Sequence, residues 1–278
     1  SLKKGSWSID HTPSLAAKSM FFYVQSAGYF KCKPNYITSR QNYNTFLIVY
    51  TLEGRGVLHY RSQTYILEKG QGFLIDCMDY QYYGVYKSGS WNFKWFHFNG
   101  CESKNYFERI YDNSGPIFNI NSDSIIPDHI DKISRMMKQR DHKIDIMNSC
   151  KIVNILTELL LGSYEACKYG AGTPAIIEEA IQLLERDFNQ DINLDSISRQ
   201  IGISKYHVSR LFKRYTGYSP YEYILNYRLS QSKSLLKSTE LPIYEIAYKV
   251  GFNSSSHFIK QFSKQEGITP LKFREYWR

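Results

Sequence analysis

Nothing in these 278 residues approaches the ~20-residue apolar run that a membrane span needs, and the first residues carry no signal-peptide core. The expected compartment is the cytoplasm, with no membrane partner. The five cysteines (Cys32, Cys77, Cys101, Cys150 and Cys167) form no C-x-x-C pair, and all precede residue 170. An odd, scattered set argues against a disulfide framework or a thiolate cluster and reads as reduced thiols. Acidic residues are outnumbered, 26 to 35, for a formal charge of +9. That excess favours an anionic partner, nucleic acid first. It is not concentrated, however: residues 173–278 carry net +4 and the preceding residues net +5. A nucleic-acid partner is therefore supported by where cations fall on helix faces, not by net charge.

The length suits two ordinary domains, and a hydrophobic fraction of 42% excludes dominant disorder. Aromatics reach 16%, with 24 Tyr and 16 Phe, which suits a β-rich half. Short β-branched or aromatic runs at 46–50, 56–60, 64–67, 73–75 and 93–98 are separated by glycine turns. This spacing predicts a small sandwich or barrel over residues 1 to about 120. Residues 124–168 change to helical periodicity, with Ile152, Ile155, Leu156, Leu159 and Leu160 on one stripe, either core or a dimer seam. Lys168–Pro174 holds two glycines and a proline and reads as a linker; from there the pattern is helical.

Within the helical half one unit is written twice. Ile197 to Gly202 has the spacing of Ile246 to Gly251. His207, Phe212, Gly217, Pro220 and Tyr223 then answer to His257, Phe262, Gly267, Pro270 and Phe273. Each copy reads as a helix, a tight turn and a second helix. In the first copy Val208, Leu211, Phe212 and Tyr215 share an apolar face, and Tyr206, Ser209, Arg210 and Lys213 fall opposite. A recognition helix needs this division, one face locked to a core and the other bare and rich in donors. Arg210 can fork onto guanine O6 and N7, and Tyr206 offers a ring to thymine methyls. Lys205, Lys213 and Arg214 suit phosphates, and Ser204 suits an N-cap. The second copy is milder, with Ser256, Ile259, Lys260 and Ser263 outward and Ser254 and Ser255 nearby. Residues 221–237 between the copies read as a spacer helix. Double-stranded DNA is the expected partner, addressed at two successive stretches of major groove.

The pattern I-x-x-I-A-x-x-x-G-F-x-x-x-x-x-F at Ile243–Phe258, followed by F-x-x-x-x-G-x-T-P-x-x-x-R at Phe262–Arg274, resembles the C-terminal signature of AraC/XylS-type transcription regulators. The resemblance covers residues 175–278. It implies base-facing roles for Tyr206, Ser209 and Arg210, and for Ser255, Ser256, Ile259 and Lys260. The signature departs at Asn253–Ser256, where a larger polar side chain often sits.

More loosely, Tyr50–Gly56, Leu67–Gly70 and Trp91–Gly100 resemble the cupin-like effector domain of the sugar-responsive branch of that family. This implies an α+β chain of two domains. Residues 1–168 would form a cupin-like β-barrel with trailing helices, for effector binding and dimerisation. Residues 169–174 would be the linker, and 175–278 an all-α double helix-turn-helix. The implied effector is a sugar, held by rings on its C–H faces and polar groups at its hydroxyls. Arg40, Tyr83, Trp91, Phe93 and Trp95 are the expected effector residues; Trp91, Phe93 and Trp95 alternate onto one face of a strand. A homodimer is expected, with RNA polymerase a further partner if the protein activates.

The competing reading is a metal-dependent cupin enzyme, an isomerase or oxygenase. Its ligand set is not there: His59 stands without a second His, and Gln81 occupies the place of the later one. No metal, cofactor or catalytic residue is expected, and His97 reads as a satisfied strand histidine. A third reading is a constitutive DNA-binding protein with a ligand-blind barrel.

Overall fold

The computed structural model describes the backbone of residues 2–139, 143–171, 173–191 and 193–277, with side chains except at 139, 167–171 and 173–175. It divides into two compact units, Ser1–Tyr169 and Gly170–Arg278.

Among the described residues the first unit holds ten strands: β1 (Trp7–Asp10), β2 (Tyr23–Cys32), β3 (Ile37–Arg40), β4 (Phe46–Gly54), β5 (Gly56–Tyr60), β6 (Gln63–Leu67), β7 (Gln71–Asp76), β8 (Gln81–Val85), β9 (Trp91–Asn99) and β10 (Ile117–Asn119). They build a six-stranded antiparallel sheet, β1-β2-β9-β4-β7-β10, and a four-stranded one, β3-β8-β5-β6. Helices α1 (Leu15–Met20), α2 (Ser103–Ser114), α3 (Ile126–Gln139) and α4 (Ile144–Ala171) complete it. The expected runs fall on β4, β5, β6, β7 and β9. The other strands, and α1 and α2 within the supposedly all-β stretch, carry weaker periodicity.

The large sheet is covered on both sides, which explains why β4 and β9 read as continuous apolar runs. Leu47 pairs with His97, Val49 with Trp95 and Thr51 with Phe93, so alternate residues of the two strands share one face. On the other face Phe46 meets both Phe98 and Phe107 of α2. Ile126, Ile130, Ile133 and Met137 of α3 join the same core at helical spacing. Ile152, Ile155, Leu156 and Leu159 of α4 are buried there too. The stripe weighed as a dimer seam is thus core of its own unit.

The second unit contains α5 (Thr173–Arg186), α6 (Leu194–Ile201), α7 (Lys205–Thr216), α8 (Pro220–Ser238), α9 (Ile243–Lys249), α10 (Ser255–Glu266) and α11 (Pro270–Tyr276). The break expected across 169–174 is narrower than the glycines and proline suggest. Helix α4 runs to Ala171 and α5 starts at Thr173, with Pro174 in the first turn, where its missing N–H costs nothing. The side chains of residues 169–171, 173 and 174 lie outside the described ones, as does residue 172 altogether.

Duplication in sequence becomes duplication of helix ends. Ser204 caps α7 by accepting from the His207 N–H at 3.3 Å, and Ser254 caps α10 from His257 at 3.4 Å. Gly217 and Gly267 close the same two helices at φ 82° and 75°, left-handed values that cost other residues strain. Ser219 and Glu222 form a capping box at α8, and Thr269 caps α11. Two separate cores result. One gathers Ile177, Leu184, Phe212 and Ile224; the other gathers Leu229, Leu236, Phe258, Phe262 and Phe273.

Candidate DNA-reading helices and effector cavity

Helix α7 is anchored by Val208 and Phe212, which are 1% and 0% exposed. That anchorage leaves Tyr206, Arg210 and Lys213 exposed and Ser209 half-buried. The Tyr206 side chain stands 80% in solvent. Arg210 Nη2 lies 3.2 Å from His207 Nδ1 one turn back, a contact that holds the guanidinium along the helix. Lys205 is not wholly available for phosphate, since its ammonium lies 3.1 Å from the Asp195 carboxylate of α6, which raises its pKa. An exposed pair of this kind is easily exchanged for another anion.

In α10, Phe258 and Phe262 are fully buried, and Ser254, Ser256, Ile259 and Lys260 are exposed, with Ser255 half-buried. Ser263, expected outward, instead has its hydroxyl enclosed without a hydrogen-bond partner among the described residues. The outward row of the second copy therefore ends one turn earlier than that of the first. Ser204 and Ser254 are helix caps before anything else, their oxygens committed to backbone N–H groups.

Inside the first unit a cavity of about 240 Å³ lies against β9, lined by Ser8, Asp10, Ser26, Phe30, Tyr36, Arg40, Tyr43, Tyr83, Phe93, Trp95 and His97. Four of the five expected effector residues meet there: Arg40, Tyr83, Phe93 and Trp95. Trp91 does not. It is fully buried, its indole N–H donates to Thr51 Oγ1 at 3.1 Å, and its ring fills the space beside Gly56. Strand alternation put it on the correct face but could not say how far along that face the cavity extends.

The aromatic wall is continuous. Phe30 lies 5.1 Å from Trp95 and 5.8 Å from Phe93, and Tyr36 lies 6.1 Å from Phe93, ring centre to ring centre. Two buried polar atoms at this wall have no hydrogen-bond partner among the described residues, Trp95 Nε1 and His97 Nδ1. His97 is thus not the satisfied strand histidine expected. It sits between Tyr43 and Trp95, 3% exposed, and burial, with the Arg40 charge adding to it, pushes its pKa down to about 3. The ring is neutral at physiological pH, free to donate or accept. Burial also pushes the Tyr83 hydroxyl pKa up, so it stays protonated. Sequence reasoning missed Phe30, Tyr36, Tyr43 and the β1 and β2 residues, because those strands were not read. His97 was within reach, being the next step in the alternation 91, 93, 95.

Among the described residues no group of three His, Cys, Asp or Glu side chains is placed to hold a metal ion, and no helix is long and apolar enough to cross a membrane.

Residues 23–153 match the model of an AraC-like ligand binding domain, and residues 197–276 match that of a helix-turn-helix domain. The chain is an AraC-family transcription regulator. The regulator is 25% identical over 264 residues to the Msm operon regulatory protein of Streptococcus mutans serotype c, covering 91% of this chain and 92% of that one. It is 24% identical over 249 residues to the lactose operon transcription activator of Staphylococcus xylosus, covering 85% and 87%. Against the transcriptional activator RhaS of Mannheimia succiniciproducens identity is 28% over 147 residues, 53% of this chain and 54% of that protein. The resemblance to the AraC family read from sequence therefore holds for both halves. This regulator is a ligand-responsive DNA-binding protein and not an enzyme.

Proposed function

We propose that this regulator senses a monosaccharide and switches carbohydrate-utilisation genes, as an activator that works with RNA polymerase in the cytoplasm. The observation that carries the sugar is the cavity, an aromatic wall set with the polar side chains of Arg40, Asp10 and His97. Rings suit the C–H faces of a pyranose; the His97 ring, Arg40 and Asp10 suit its hydroxyls. The single acidic and single basic side chains at the lining favour a neutral ligand. At about 240 Å³ the cavity is below the ~300–1,000 Å³ of drug-sized sites, which favours one ring over two. The lactose operon named for the Staphylococcus xylosus relative points the same way.

On the DNA side, Tyr206, Ser209 and Arg210 would face bases in the first groove segment, and Ser255, Ser256, Ile259 and Lys260 in the second. Lys205, Lys213 and Arg214 would hold phosphates, with Ser204 and Ser254 capping the two helices beside them. A homodimer completes the reading. The outer face of α4 presents Ile146, Cys150, Thr157 and Leu161 to solvent, and it suits a second copy better than the buried stripe does. Residues 1–168 and 175–278 would then serve as sensing and DNA-binding domains.

Titration calorimetry with a panel of hexoses, pentoses and disaccharides tests the sugar. Heat with one monosaccharide, lost in Trp95→Ala, is expected. No heat with any sugar, together with intact regulation in Trp95→Ala, would sink the assignment. Light scattering that returns the monomer mass at micromolar concentration would do the same for the dimer.

A further inference from the structure

The two helix-turn-helix cores are separate clusters, and α8 contributes to both, with Ile224 in the first core and Leu229 and Leu236 in the second. A single helix sets the distance between two bodies and leaves their relative rotation to other contacts. Those contacts converge on the turn after α5. Phe188 packs against both cores and meets Tyr227 edge to face at 5.5 Å. Arg228, on α8, donates from Nε to the Phe188 carbonyl and from Nη2 to the Gln190 carbonyl, both at 2.6 Å. The other side of this turn touches the tight turn of the second motif. Asn253 Nδ2 donates to Asp191 at 3.4 Å, and a Cβ on Gly251 would come within 2.7 Å of Asn189 Cα and 2.9 Å of Arg228 Nε. Gly251 holds φ +90°, so the approach is closed to other residues on two counts.

We infer that the Phe188–Asp191 turn, clasped by Arg228, fixes the angle between α7 and α10, and that Arg228 is the positioning residue that lets one chain read two groove segments in one register. The inference rests on the reading of α7 and α10 as groove helices. A planar fork is needed for the role, because it holds two carbonyls in fixed directions; a lysine supplies the charge without the fork. If the clasp is lost, the second helix still finds its groove, but from a wider set of angles. The effective concentration of the second contact falls, and with it the preference for one spacing.

The test uses the full chain and duplexes selected from a random-sequence library. The parent should select two motifs at one fixed spacing, near one helical turn of ~10 base pairs. A one-base-pair insertion between the selected motifs should weaken parent binding by about tenfold or more. Arg228→Gln should select the same motifs, bind them about tenfold more weakly, and lose less than about twofold on insertion. Selection of the same single spacing by Arg228→Gln, with the insertion penalty intact, would overturn the inference. Far-UV circular dichroism controls for folding, and Arg228→Lys is the variant to read if the glutamine lowers helix content. Helix loss in both makes Arg228 a folding residue and overturns the inference as well. A parent that selects no two-part site removes the groove-helix reading itself, a result distinct from the other two.

Discussion

Among the described residues of the first unit, two of the buried polar atoms that lack a hydrogen-bond partner, Trp95 Nε1 and His97 Nδ1, belong to side chains of the cavity wall, whereas the helical unit stands Tyr206, Arg210, Lys213 and Lys260 in water. The difference follows from what each surface meets. A small ligand is taken out of water, so its partners must be dry and shaped in advance, at a stability cost of ~1–3 kcal/mol for each unpaired buried group. DNA arrives with its own charge, and exposed cations cost the fold little while they wait.

The severest way to break this contrast is pH. His97 is neutral in the fold down to about pH 3 but protonates in the unfolded chain near its ordinary value of 6.5. Between those values the unfolded state binds the extra proton, so stability is complete above about pH 6.5 and declines as pH falls toward 3. Over the whole interval the loss is on the order of 5 kcal/mol. Denaturant unfolding across pH should show it in the barrel transition, and His97→Gln should flatten that profile. An unchanged profile would mean that His97 is already solvated.

Next in size is Phe262→Ala, which empties a fully buried position of the second helical core. A loss of ~3–5 kcal/mol is expected, confined to one calorimetric transition. Should the barrel transition move equally, the two units are not independent. Arg210→Ala should leave both transitions in place and cost ~1–3 kcal/mol of specific DNA binding, with relaxed preference at one base pair. Uniform weakening across sequences would demote Arg210 to a phosphate contact. The smallest effect is expected from Lys213→Ala, which should lower the slope of log affinity against log salt by about one and leave base preference alone.

Legibility differed between the same two regions. Helix ends in the second unit follow from local chemistry, so Ser204, Gly217, Ser254 and Gly267 are readable from spacing, and the outward rows of α7 and α10 come almost free. Ser263 is the exception, because enclosure of its hydroxyl depends on what packs over the end of α10. The barrel was half legible. Strands β4 and β9 announce themselves by continuous apolar runs, but β1, β2 and β3 are short of such runs and bring Ser8, Asp10, Phe30 and Arg40 to the cavity from afar. Alternation put Trp91, Phe93, Trp95 and His97 on one face. Whether each ring lines the cavity or plugs the core was set by its neighbours, Thr51 and Gly56 for Trp91, Tyr43 and Arg40 for His97.

By itself the sequence determined the duplication, its caps and turns, and the two-part architecture, because periodicity and helix-end chemistry are local properties that need no partner. Tertiary structure alone decided which aromatic rings face a void, that the α4 stripe is core, and that Arg228 ties one motif to the other. Those outcomes depend on strand order and on contacts between residues tens of positions apart, and chain spacing carries no record of either.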